Sequence, residues 1–179
     1  MSGNMDVELV KLLNGERGPV LDNVQLLLTA SAAVVAFGLP VLFALIGLLR
    51  RKTWLLWAAA YAAATVISSA IVVNILKPLV DRPRPFEVLD SIVKLTSGGG
   101  GSFPSGHTGD AFSIAVAMCL LFRRYTIVVP ALLWAIGVGW SRVALGVHYP
   151  SDVLGGIVIG TLSAALWSLF FKKRLQTVY

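Results

Sequence analysis

Residues Val24–Leu49 read VQLLLTASAAVVAFGLPVLFALIGLL and, just beyond Arg50-Arg51-Lys52-Thr53, residues Trp54–Ile75 read WLLWAAAYAAATVISSAIVVNI. Neither run holds a charge, and at about 1.5 Å of rise per residue each helix would cross a hydrocarbon core about 30 Å thick. Backbone polar groups find no water in lipid and must be paired within their own helix, so these two runs set the fold class. The composition agrees. With 56% apolar and 13% charged residues among 179, a water-soluble domain would carry far too much apolar surface. Working outward, Thr108–Phe122, Ile127–Trp140 and Val153–Phe171 read as three further spans. The expected architecture is an all-α, polytopic membrane helix bundle of five transmembrane helices in a single domain, residues 1–179, with no linker and no repeat. Met5–Asn14 sets Val7, Leu9, Val10, Leu12 and Leu13 among charges, which predicts an amino-terminal interfacial helix. It lacks the basic start and long apolar centre of a signal peptide.

The net charge of +6 does not indicate nucleic acid, because the cations cluster at the ends of apolar runs rather than along one helical face. With five spans, one side of the membrane receives Arg50, Arg51, Lys52, Arg123, Arg124, Lys172, Lys173 and Arg174 and no acid, which marks it as cytoplasmic. The other side receives every Asp and Glu together with Lys77, Arg82, Arg84, Lys94, Arg142 and both histidines, so the chemistry is expected at the outer face. A channel or transporter would distribute charge through the depth of the spans, whose central parts here are nearly free of it. Cys119, alone in an apolar run, makes no intramolecular disulfide and reads as packing. Ser97–Ser102, Ser-Gly-Gly-Gly-Gly-Ser, offers no side chain to pack and is expected to be mobile.

Three polar stretches border the spans on the outer side. In Lys77-Pro78-Leu79-Val80-Asp81-Arg82-Pro83-Arg84-Pro85 the prolines end the helix and hold an extended segment that presents three cations. Arg offers a planar fork for phosphate oxygens and Lys a compact charge. Phe103-Pro104-Ser105-Gly106-His107-Thr108 precedes the third span, where unpaired backbone N–H groups attract an anion. Ser105 suits a cap there, Gly106 suits a close backbone approach, and His107 suits proton transfer. Ser141-Arg142 through His148-Tyr149-Pro150-Ser151-Asp152 closes the fourth span and opens the fifth, with Pro150 fitting a first helical turn. His148 and Asp152, four apart, share a face if the turn is helical, so the carboxylate can orient the imidazole as a nucleophile. Each stretch alone has an ordinary reading as anchoring charge, plain helix cap or chance spacing. On one membrane face they supply together what phosphoryl transfer requires: positive charge around three oxygens, an in-line nucleophile and a proton donor.

These segments resemble the type 2 phosphatidic acid phosphatase family, whose pattern is Lys, six residues, Arg-Pro; then Pro-Ser-Gly-His; then Ser-Arg, five residues, His, three residues, Asp. Here they stand at Lys77 with Arg84-Pro85, at Pro104–His107, and at Ser141-Arg142 with His148 and Asp152. The resemblance implies that His148 forms a phosphohistidine oriented by Asp152. It also implies that Lys77, Arg84, Ser105, Gly106 and Arg142 hold the phosphate, that His107 protonates the leaving oxygen, and that no metal or other cofactor takes part. Members commonly have six spans, against five plus an interfacial helix here, as in some short bacterial members. The expected partner is a membrane lipid phosphate within the bilayer, and the expected place is a bacterial inner membrane with the site facing the periplasm or cell exterior. The short chain looks like the undecaprenyl diphosphate phosphatases. Phosphatidylglycerophosphate, phosphatidic acid, lipid A 1-phosphate and lipid-to-lipid phosphotransfer are the alternatives, because the motifs grip phosphate and not the lipid. Neither nucleic acid nor a particular oligomeric state is implied.

Overall fold

The computed structural model describes residues 2–15 and 18–175, and among these there are helices and no strands. The order is α1 (Ser2–Asn14), α2 (Pro19–Leu49), α3 (Thr53–Val80), the single turn α4 (Pro85–Val88), α5 (Gly106–Phe122), α6 (Tyr125–Ala144) and α7 (Pro150–Leu175). α6 and α7 run past both ends of the apolar segments that announced them. Counting apolar residues stops at the first charge, but helical hydrogen bonding continues through Arg142 in α6 and through Lys172–Arg174 in α7. Pro150 opens α7 as expected, since its missing N–H costs nothing in a first turn.

Among the described residues, four helices are long and apolar enough to cross a bilayer, namely α2, α3, α6 and α7. α5, with 17 residues, is the exception. At about 1.5 Å per residue it reaches only about 25 Å. Its position accounts for this. α5 packs against α2, α3, α6 and α7, and Ala111, Ile114, Ala115 and Ala117 are sealed from any solvent. A helix sheltered by its neighbours need not match the lipid thickness. The outer helices show the opposite pattern, with Leu27, Val34, Leu49 and Phe170 exposed as a hydrocarbon solvent demands.

α5 meets α7 through backbone rather than through long side chains. A Cβ on Gly156 would stand 2.6 Å from the Ser105 carbonyl oxygen, and one on Gly160 would strike the Gly109 carbonyl oxygen and lie 2.8 Å from the Ser113 nitrogen. Gly156 and Gly160 are four apart on one face, the small-residue spacing that lets membrane helices approach closely where no hydrophobic effect drives them together. This contact sets the starts of α5 and α7 side by side, so the segments carrying His107 and His148 become neighbours.

The amino-terminal helix packs directly on the bundle. Val10 is fully buried against Ile92, Val143 and Tyr149, and Asn14 donates from Nδ2 to the carbonyls of Val93 and Ala144, both at 2.9 Å. Met5, Leu9 and Leu12 stay exposed on the other face. α1 is therefore a strap across the C-terminal end of α6 and the N-terminal end of α7, with one apolar face on protein and the other exposed.

Candidate active site

α3 ends at Val80 because Asp81 turns into the left-handed region, φ 43°, and the following prolines cannot continue a helix. Arg82-Pro83-Arg84 then runs extended to the α4 turn, where the Arg84 backbone N–H is met by the Glu87 carboxylate at 2.8 Å. Across from it, Ser105 stands in the cap position of α5, and its N–H donates to the Asp152 carbonyl at 3.0 Å, tying the start of α5 to that of α7. The Ser105 hydroxyl does not cap α5 as the sequence suggested. It pairs instead with the Thr108 hydroxyl at 2.9 Å, and no side chain caps the helix start. The unpaired N–H groups of that first turn, at Gly106 and His107, are left available for an anion.

His148 lies just ahead of α7, in the turn rather than in the helix, and is 2% exposed. Its Nδ1 is 3.6 Å from Asp152 Oδ2 and has no hydrogen-bond partner, while its Nε2 is 3.4 Å from Arg84 Nη1. Asp152 is wholly buried in the first turn of α7, with Oδ2 accepting from the Tyr149 N–H at 2.8 Å and from the Ser102 hydroxyl at 2.5 Å. Its Oδ1 accepts from Arg82 at 2.6 Å. Burial pushes the His148 imidazole down to about 4; the Arg142 and Arg84 charges act in the same sense and Asp152 opposes them. The ring is therefore neutral at neutral pH. A proton on Nδ1, facing the carboxylate, leaves the Nε2 lone pair facing the guanidinium.

Arg84 is 3% exposed, and its guanidinium donates to the carbonyls of Val147 (2.8 Å), Gly99 (2.9 Å) and Gly100 (3.0 Å). Lys77 Nζ donates to the Gly101 carbonyl at 2.8 Å. The glycine run, which offers no side chain at Gly98–Gly101, nevertheless has defined partners. Its backbone carbonyls are the groups that pack, and a Cβ at Gly101 would stand 2.8 Å from the Lys77 carbonyl oxygen. Lys77 lies within electrostatic reach of Arg84, Asp152 and Arg142, and His107 within reach of Arg142, Lys77 and Arg84. Arg142 is 2% exposed; one of its terminal nitrogens is bonded to the Thr29 hydroxyl and its Nε has no partner. Gly106 sits at the first residue of α5, where a Cβ would meet only Val73 at 3.6 Å, an ordinary contact, so no clash explains glycine there. All eight residues singled out from the sequence therefore gather at one end of the bundle.

A family model described as the PAP2 superfamily matches residues 57–176. The chain belongs to the PAP2 superfamily. It is 29% identical over 183 residues to the lipid A 4′-phosphatase of Bacteroides thetaiotaomicron, a match that covers 97% of this chain and 81% of that protein. It is 32% identical over 171 residues to the undecaprenyl-diphosphatase BcrC of Bacillus subtilis, covering 94% and 83%. The crystal structure of a transmembrane PAP2-type phosphatidylglycerolphosphate phosphatase from Bacillus subtilis superposes with a TM-score of 0.82 at 26% identity, covering 96% of this chain and 87% of that one. As a PAP2 member with these relatives, the protein is a lipid phosphatase of a bacterial membrane.

The PAP2 match begins at Trp57, so α1 and α2 lie outside it. They nevertheless reach the site, α2 through Thr29 to Arg142 and α1 through Asp6 to Arg82 and Ser151. Sequence reasoning assigned no role to Thr29, Asp6, Arg82 or Ser102. Arg82 carried a signal, being one of three cations in the proline-stiffened segment, but the family spacing selects Arg84. Ser102 carried none, since it lies in a run read as featureless.

Proposed function

We propose that the protein hydrolyses undecaprenyl diphosphate at the outer face of the membrane through a phosphohistidine on His148, without a metal. The observation that carries the mechanism is the pair of surroundings of the His148 ring, with Asp152 near Nδ1 and Arg84 near Nε2. Phosphate held by Arg84, Lys77, Arg142, the Ser105 hydroxyl and the Gly106 N–H would place phosphorus in front of Nε2. The Nε2 lone pair attacks the terminal phosphorus and forms the P–N bond as the bond from that phosphorus to the bridging oxygen breaks, so that undecaprenyl phosphate is the leaving group. The leaving oxygen takes its proton from His107. Water then attacks phosphorus, giving a proton back to His107, the P–N bond breaks, and inorganic phosphate departs.

Several observations support the finer reading. BcrC is named an undecaprenyl-diphosphatase, and its match covers 94% of this chain, more than the segment that matches the family model. The acid-free basic clusters Arg50–Lys52, Arg123–Arg124 and Lys172–Arg174 stand at the opposite helix ends from the site, which favours an outward-facing site. Phosphate release by the purified protein is the test, measured with undecaprenyl diphosphate, lipid A, phosphatidylglycerophosphate and phosphatidic acid. The diphosphate is expected to turn over fastest, with activity retained in excess chelator and inhibited by vanadate. Faster turnover of lipid A would transfer the assignment to the reaction named for the Bacteroides relative. Activity lost in chelator and restored by one divalent metal would overturn the metal-free mechanism.

A further inference from the structure

We propose that Asp6 and Arg82 are positioning residues of this phosphatase, through which α1 fixes the carboxylate that serves His148. The inference rests on the roles given above to His148 and Asp152. The Arg82 guanidinium bridges two carboxylates, donating from Nη1 to Asp152 Oδ1 at 2.6 Å and from Nη2 to Asp6 Oδ2 at 2.9 Å. Nη1 also reaches the Ser151 hydroxyl at 2.7 Å, and the guanidinium lies over the Tyr149 ring, 4.0 Å from its centroid. A planar fork held at both prongs and on one face has a single orientation.

Asp6 is held as firmly. It accepts from the Ser151 N–H at 3.1 Å and from the Ser151 hydroxyl, so a carboxylate from α1 satisfies an N–H in the first turn of α7 that has no partner within its own helix. It also sets a negative charge at the positive end of that helix. The consequence lies at Asp152. Partial rotation about the Cβ–Cγ bond would carry the carboxylate out of line with the imidazole; with Oδ1 engaged by Arg82, the plane is fixed and Oδ2 stays beside Nδ1. Neither Asp6 nor Arg82 is among the phosphate-holding groups, so their loss should weaken attack and spare substrate binding. Asp6 lies outside the segment that matches the family model, which makes this clamp an addition by the amino-terminal helix.

Steady-state kinetics of the purified protein on the lipid phosphate it turns over best provides the test. Asp6→Asn is expected to lower kcat on the order of 10-fold and Arg82→Ala on the order of 100-fold, the range for a catalytic group displaced by up to about 1 Å. KM and vanadate inhibition should stay near wild type. Asp6→Glu should restore part of kcat, and Asp6→Asn combined with Arg82→Ala should be no worse than Arg82→Ala alone, because Asp6 acts through Arg82. Wild-type kcat in Asp6→Asn, multiplying losses in the double variant, or losses that follow the thermal midpoint without rescue by Glu would each overturn the proposal. His148→Ala and Asp152→Asn serve as references. If both are inactive beside a fully active Asp6→Asn, the clamp alone fails; if His148→Ala remains active, the catalytic reading fails and the clamp with it.

Discussion

On one imidazole, His148 meets a carboxylate at Nδ1 and a guanidinium at Nε2, and the two histidines of the site should fail differently when changed. His148→Ala removes the proposed nucleophile, so no acid-labile phosphoenzyme should appear in rapidly quenched reactions with any substrate. His107→Ala leaves attack possible but deprives the leaving oxygen of its acid, a loss of about 10² to 10⁴-fold with a lipid monophosphate. An aryl phosphate, with a better leaving group, should recover part of that loss; equal fractional losses with both substrates would refute the role of His107. The pH dependence follows from burial. With the folded His148 lowered to about 4 from an ordinary 6.5, the folded state binds fewer protons than the unfolded chain between those values. Its contribution to stability is full above about 6.5 and fades as pH falls toward 4. With an aryl phosphate, whose leaving group needs little help from His107, phosphoenzyme formation should accordingly keep its rate below pH 6 and fall only near pH 4, as a quench-flow series would show.

At the scale of elements, the site depends on how closely α5 and α7 approach. Gly160→Leu would push a side chain into the Gly109 carbonyl and the Ser113 nitrogen, so it should lower stability by at least about 1–3 kcal/mol, the usual cost of overpacking. It should also reduce activity, by parting the helix that starts at Gly106 from the one that starts at Pro150. Gly38→Ala is the control. Nothing lies within 4 Å of a Cβ there, and Ala favours helix over Gly, so the thermal midpoint in detergent should hold or rise. A Gly160→Leu protein as stable and active as wild type would show that the α5–α7 contact does not set the site. The same elements show which structure could be read locally. Runs such as Val24–Leu49 announce helices because lipid leaves the backbone no alternative. The strap-like docking of α1 could not be read from Met5–Asn14, since a helix with two apolar faces does not declare which one meets protein.

For the whole molecule, the proposed orientation can be checked by labelling in a Cys119→Ala background. Gly99 is exposed in the glycine run and Thr126 is exposed in the first turn of α6, at the opposite end of the bundle. Gly99→Cys is expected to react with an impermeant thiol reagent in intact cells, and Thr126→Cys only once the inner face is opened; the reverse would invert the topology. By itself the sequence determined the membrane class, the long apolar helices and the family motifs. Hydrophobic runs are local, and phosphate chemistry calls for particular residue types at fixed spacings within each segment. Tertiary structure alone decided how the segments meet. The Arg82–Asp152 pair, the Ser102 hydroxyl on the same carboxylate, the Thr29 partner of Arg142 and the glycine carbonyls around Arg84 and Lys77 all join residues far apart in the chain. Pairings of that kind follow from helices packing at close range, and no local periodicity encodes which side chains that packing brings together.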